Sequence, residues 1–122
     1  MSLSFTWLGQ GGYILEDSDG GKISIDPFCG TAKGIAKRLY DTPADFRVDV
    51  EAVFSTHNHW DHFDPETYEH YVIPKLIAGP RCCMNSLKES GLSIPGFELN
   101  AGETYICGNF KVTAVVADHS AP

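Results

Sequence analysis

The sequence predicts a mixed domain, α/β or α+β, in which strands come first and strand–helix units follow. Three observations predict it. Short apolar or alternating runs separated by turn residues recur before residue 30. Two later stretches open at Pro65 and after Pro80, where proline suits a helix start. The histidines fall where apolar runs end and loops begin.

Three strands are expected at residues 5–8, 13–15 and 23–25, separated by residues 9–12 and by Asp19-Gly20-Gly21, so they read as an antiparallel meander. Asp26-Pro27 closes the third strand, because proline has no donor for the ladder. Residues 30–50 read as a long excursion between strands, with a helical turn or two at 35–40 and a break at Pro43. A short apolar fourth strand, 52–55, empties into the run His57-Asn58-His59-Trp60-Asp61-His62. Asp64 caps a helix from Pro65 to about Val72, and Pro74 stops the pattern. A brief strand at 76–78 precedes a second helix over 81–90, opened by Gly79-Pro80 and closed by Gly91 as a left-handed cap. Strands at 97–99 and 104–107 follow, then a Gly108-Asn109 hairpin turn. In the last strand Phe110, Val112, Ala114 and Val116 face one way.

A length of 122 residues suits one ordinary domain with a real core. Hydrophobic residues at 43% and charged residues at 20% exclude a disordered, collagen-like or coiled-coil chain. The net charge of −7 argues against nucleic acid as the main partner and suits a chain that takes up cations. No apolar run approaches the roughly 20 residues needed to span a bilayer. The first basic residue is Lys22, too late for the charged start of a signal peptide. Cys29, Cys82, Cys83 and Cys107 show no CxxC spacing and read as reduced thiols of a cytoplasmic protein.

His57 and His59 are two apart, so in extended backbone both rings point the same way and can hold a first divalent metal. Asp61 and His62 come as the chain begins to turn, and offer a carboxylate and a third imidazole to a second position. Imidazole suits zinc, iron, nickel and copper, and carboxylate admits manganese. Two such metals make a hydrolytic machine that needs no protein nucleophile. His119, after the last strand, is expected as the third ligand of the first metal, and His70 as an exposed helix residue. Asp26 either orients a liganding imidazole or simply forms an Asp-Pro turn.

The pattern H-x-H-x-D-H after a short apolar strand resembles the signature of the metallo-β-lactamase superfamily, and Asp26, His57, His59, Asp61, His62 and His119 follow its order. The resemblance implies an α+β fold, an αββα sandwich, of which residues 1–122 would be the first β-sheet and helix half, with the second half absent. It implies two divalent metal ions, zinc or manganese. His57, His59 and His119 would hold the first. Asp61 and His62, also the catalytic pair, would hold the second with ligands from further on, while Asp26 supports the site without touching metal. The family's later bridging aspartate and its final histidine have no counterpart here. Within the family, Asp26-Pro27-Phe28-Cys29-Gly30-Thr31 and Gly79-Pro80-Arg81-Cys82 look most like the branch containing L-ascorbate-6-phosphate lactonase, whose members are cytoplasmic metal-dependent hydrolases. His119 departs from that branch, which has an acidic residue near this position.

The expected function is therefore hydrolysis of a small phosphorylated lactone or ester, such as a sugar phosphate, by hydroxide generated at the metals. Lys33, Lys37, Arg38 and Arg47 form a basic cluster that could meet the phosphate, or simply a solvated loop. A phosphodiesterase-type reaction is the alternative within the family, and a metal-binding fragment without turnover is the alternative outside it. Neither nucleic acid nor membrane is expected as a partner. A sheet without its companion leaves one apolar face bare, so a missing second half or a homo-oligomer is expected.

Overall fold

Alternating apolar residues build the first strands. In a computed structural model that describes residues 2–9, 11–31 and 42–116, β1 (Leu3–Trp7), β2 (Tyr13–Asp17) and β3 (Lys22–Ile25) pair antiparallel in order, as the meander predicts. Gly20 takes φ 88° in the turn after β2, and the Asp17 carboxylate clamps that turn by accepting the Asp19 and Gly21 N–H groups, each at 2.9 Å. The strand direction then changes. β3 pairs parallel with β5 (Ala52–Phe54), β5 with β7 (Ile77–Gly79), and β7 with β8 (Gly96–Glu98). The result is a six-stranded sheet in the order β1-β2-β3-β5-β7-β8.

Several boundaries differ from expectation. The first helix, α1 (Pro65–His70), ends early, and Val72 belongs instead to a strand, β6 (Val72–Pro74). Its parallel partner β4 (Val48–Val50) lies in the stretch read as an excursion. Val72 is β-branched and fully buried, and the Val48 N–H donates to the Tyr71 carbonyl at 2.8 Å. A partner distant in sequence thus turned an apparent helix tail into a strand. The second helix, α2 (Arg81–Ser90), ends at Gly91 with φ 76°, as predicted. β9 (Thr104–Cys107) and β10 (Phe110–Thr113) form the expected hairpin, but β10 stops before Ala114 and Val116 is exposed. No described helix is long and apolar enough to cross a membrane.

Period-two alternation divides the sheet's side chains between two cores. On one face Ile14, Val53 and Ile77 pack with Tyr68 of α1, with Cys83 and Leu87 of α2, and with Val50 and Val72. On the other, Ile23, Ala52, Phe54 and Ala78 pack with Tyr105, Cys107, Phe110 and Val112 of the hairpin. Asn109 at the hairpin tip donates to Asp17 at 3.1 Å and to Asp19 at 2.9 Å. Strand register places Phe5 and Trp7 on this second face, beyond the hairpin. With Leu3 they are 62%, 65% and 59% exposed.

Candidate metal centre

Parallel pairing of β3 with β5 sets Ile25 beside Phe54, so Asp26 and the residues after Phe54 leave the sheet together. The Asp26 N–H donates to the Phe54 carbonyl at 3.0 Å. Asp26 takes φ 46°, a left-handed conformation that few residues other than glycine adopt. Gly12 lies against its carbonyl, and a β-carbon on Gly12 would overlap that oxygen and come within 2.8 Å of Pro27 Cα.

This backbone turn aims a buried carboxylate at the histidine run. Asp26 Oδ1 accepts the Thr56 N–H at 2.8 Å. Its Oδ2 accepts the Thr56 hydroxyl at 2.6 Å and meets His62 Nδ1 at 2.9 Å. The run leaves β5 extended and then folds back, because the His62 and Phe63 N–H groups both donate to the His59 carbonyl at 2.9 Å. His62 therefore returns over His57, with ring centroids 4.1 Å apart, while the His59 ring stands edge-on to His57 at 4.5 Å. Asp61 Oδ1 lies 3.7 Å from His62 Nε2. A β-carbon on Gly11 would come 3.0 Å from His62 Cε1, so the Gly11-Gly12 turn also closes on that ring. Asn58 donates to Ser86 of α2 at 3.1 Å, and buried Phe28 meets Trp60 edge-on at 5.4 Å, which pins the outer side of the run.

The donor set fits a divalent metal. Ligand atoms on one ion each lie about 2.1 Å from it, so two of them can be at most about 4.2 Å apart. The Asp61–His62 separation of 3.7 Å is inside that limit. The packed His57 and His59 rings are of the type that takes zinc, iron, nickel or copper, and the Asp61 carboxylate admits manganese. Among the described residues no three His, Cys, Asp or Glu side chains converge on one point, so the run by itself offers pairs of donors. His119, expected as a further ligand, lies outside the described residues, as do Lys33, Lys37 and Arg38. Arg47 is exposed and lies 3.5 Å from Asp49. His70 is exposed at the end of α1, as expected.

Tyr68 and Cys83 are buried in the core that Phe63, next to the run, also enters. Burial pushes the Tyr68 phenol and the Cys83 thiol well above their usual ranges. Both therefore stay protonated near neutral pH, and Cys83 does not compete as a thiolate ligand. Thr56 is a site residue that the spacing of ligand types does not flag, since a hydroxyl is a poor ligand. Its place next to His57 is the only signal of it in the sequence.

One strand-end carboxylate backing a run of three imidazoles on a mixed sheet is a combination that known families can be compared with. A family model described as the beta-lactamase superfamily domain matches residues 4–122. The chain belongs to that superfamily. Its α+β fold is of the metallo-β-lactamase type, shared with a protein of Parabacteroides distasonis named as a metal-dependent hydrolase. That structure matches with a TM-score of 0.67 and 24% identity, over 98% of this chain and 48% of the other. A variant of the CmlA beta-hydroxylase matches with a TM-score of 0.64 and 23% identity, over 95% of this chain and 24% of the other. In sequence, a UPF0173 metal-dependent hydrolase of Xanthobacter autotrophicus is 28% identical over 126 residues, which span 98% of this chain and 49% of that protein. The superfamily member described here thus spans about half the length of these two hydrolase-named relatives. A hydroxylase among the structural neighbours means that the half-fold alone does not set the reaction. The site must.

Proposed function

We propose that this chain carries the larger part of the metal site of a metal-dependent hydrolase that opens a small phosphorylated lactone or ester. The observation that supports it most is the packing of His59 and His62 around His57, with centroids within 4.5 Å, beside the Asp61 carboxylate. His57 and His59 would hold one divalent ion together with His119, and Asp61 and His62 a second, zinc or manganese in each case. Ions bound there would lower the pKa of a water and polarise the scissile bond.

The chain's own residues supply orientation and access. Asp26 accepts the hydrogen bond from His62 Nδ1–H and so turns Nε2 toward Asp61. The Asp61 and His62 side chains are 24% and 23% exposed, which lets a substrate reach the pair assigned to catalysis. Lys33, Lys37 and Arg38 are the proposed contacts for a phosphate. The remaining ligands would come from a second half like that of the longer relatives, or from a second copy of the chain, in the cytoplasm.

Metal content decides the first part. Purified protein should carry zinc or manganese, and His59→Ala should empty the first position. A chain that holds no transition metal, and gains none on adding either ion, would sink the reading. Turnover of phosphorylated lactones but not of phosphodiesters, measured on a polypeptide that includes the second half, tests the substrate class.

A further inference from the structure

We infer that Thr56 is a positioning residue of the metal centre, its hydroxyl passing the hold of a single carboxylate, Asp26, on to a second imidazole, His57. The inference rests on the proposed role of His57 as a ligand.

Proton counting carries the argument. Thr56 Oγ1 lies 2.6 Å from Asp26 Oδ2 and 2.8 Å from His57 Nδ1. A hydroxyl has one proton to give, and a carboxylate oxygen only accepts. The Thr56 proton therefore goes to Asp26. Toward His57 the same oxygen can only accept, so His57 carries its proton on Nδ1 and its lone pair on the buried Nε2. Asp26 Oδ2 also accepts from His62 Nδ1, at 2.9 Å, which leaves the His62 lone pair on Nε2 beside Asp61. One carboxylate oxygen thus fixes the tautomers of two rings 4.1 Å apart, one directly and one through a hydroxyl. The Thr56 N–H, given to Asp26 Oδ1 at 2.8 Å, grips the residue at a second point. The β-branch further limits where the hydroxyl can swing.

Nitrogen-15 NMR of the histidine rings in the metal-free 122-residue chain reads the tautomers, and calorimetric titration with zinc reads the affinity. The native chain and Thr56→Ser should show His57 protonated on Nδ1. Thr56→Val, close in shape but without the hydroxyl, should release His57 alone, whereas Asp26→Asn should release both His57 and His62. Zinc affinity should fall about 10- to 100-fold in Thr56→Val and be largely restored in Thr56→Ser. Urea unfolding of each variant separates these effects from loss of fold, and Asp26→Asn provides the comparison if Thr56→Val does not fold. His57 protonated on Nε2 in the native chain would overturn the relay. So would native tautomer and affinity in Thr56→Val. If the native chain takes up no zinc, the ligand role of His57 fails and the positioning role with it, while the ring spectra still show whether the hydroxyl relay exists.

Discussion

Gly12 presses on the carbonyl of Asp26 so closely that no β-carbon fits between them. The contact explains why a glycine stands thirteen residues before the end of β3, far from the histidine run in the sequence. It lets the chain after β1 close over a left-handed aspartate, and the aspartate in turn aims its carboxylate at His62.

Gly12→Ala should therefore destabilise the chain by about 1–3 kcal/mol in urea unfolding, because the atoms in the way are backbone and cannot rotate aside. Gly11→Ala meets only the edge of the His62 ring, at 3.0 Å. A ring can give way by a small rotation, so this variant should unfold close to the native midpoint yet bind metal more weakly. Equal loss of stability in the two variants would contradict this assignment.

Asp26→Asn keeps the shape and tolerates a positive φ, but it places an amide donor or a weaker acceptor where three donors now meet one carboxylate. A cost of about 1–3 kcal/mol in stability is expected from the mismatched buried groups. Thermal unfolding and metal content measured on the same sample check the two consequences together.

Much of this arrangement is written locally. The clustered histidine run, α2 with its Gly91 cap, and the β9–β10 hairpin were all readable, because each rests on residues close together in sequence, whereas Asp26, 36 positions from His62, was tied to the run only by the family resemblance. What escaped depends on distant pairing. Val48–Val50 and Val72–Pro74 are too short to show a period, and each becomes a strand only because the other is there. Thr56 likewise gains its role from the β3–β5 register, which brings it to Asp26 across 30 positions. No local pattern encodes that meeting.

Alkaline pH should weaken the fold. The Tyr68 phenol and the Cys83 thiol hold their protons more tightly when folded than their ordinary values of 10.0 and 9.0 allow in the unfolded chain. The unfolded state thus loses protons first as pH rises. The stability from these groups is complete below about pH 9 and drains away through and above that range. Tyr68→Phe should flatten the part of the decline above pH 10 in a series of melting temperatures, and an unchanged slope would argue against burial as the cause.

Leu3, Phe5 and Trp7 leave an apolar stripe on the edge strand of the sheet. Such edges recruit other chains. Sedimentation of the isolated chain should show concentration-dependent association, and Phe5→Thr with Trp7→Thr should reduce it while keeping good strand formers in β1. Association that persists undiminished would place the contact elsewhere.

The clip made by Asn109 has a consequence in time rather than in space. It joins residues 92 positions apart, whereas Asp26 and His62 are 36 apart. Closing the longer loop costs about 0.8 kcal/mol more in chain entropy. Contacts of short span also form sooner than those of long span. The expected order of folding is thus the histidine cluster first and the docking of the hairpin through Asn109 last. On a chain emerging from its N-terminus, Asp26 and the histidine run would be gathered before the strands that shelter the opposite face have been made.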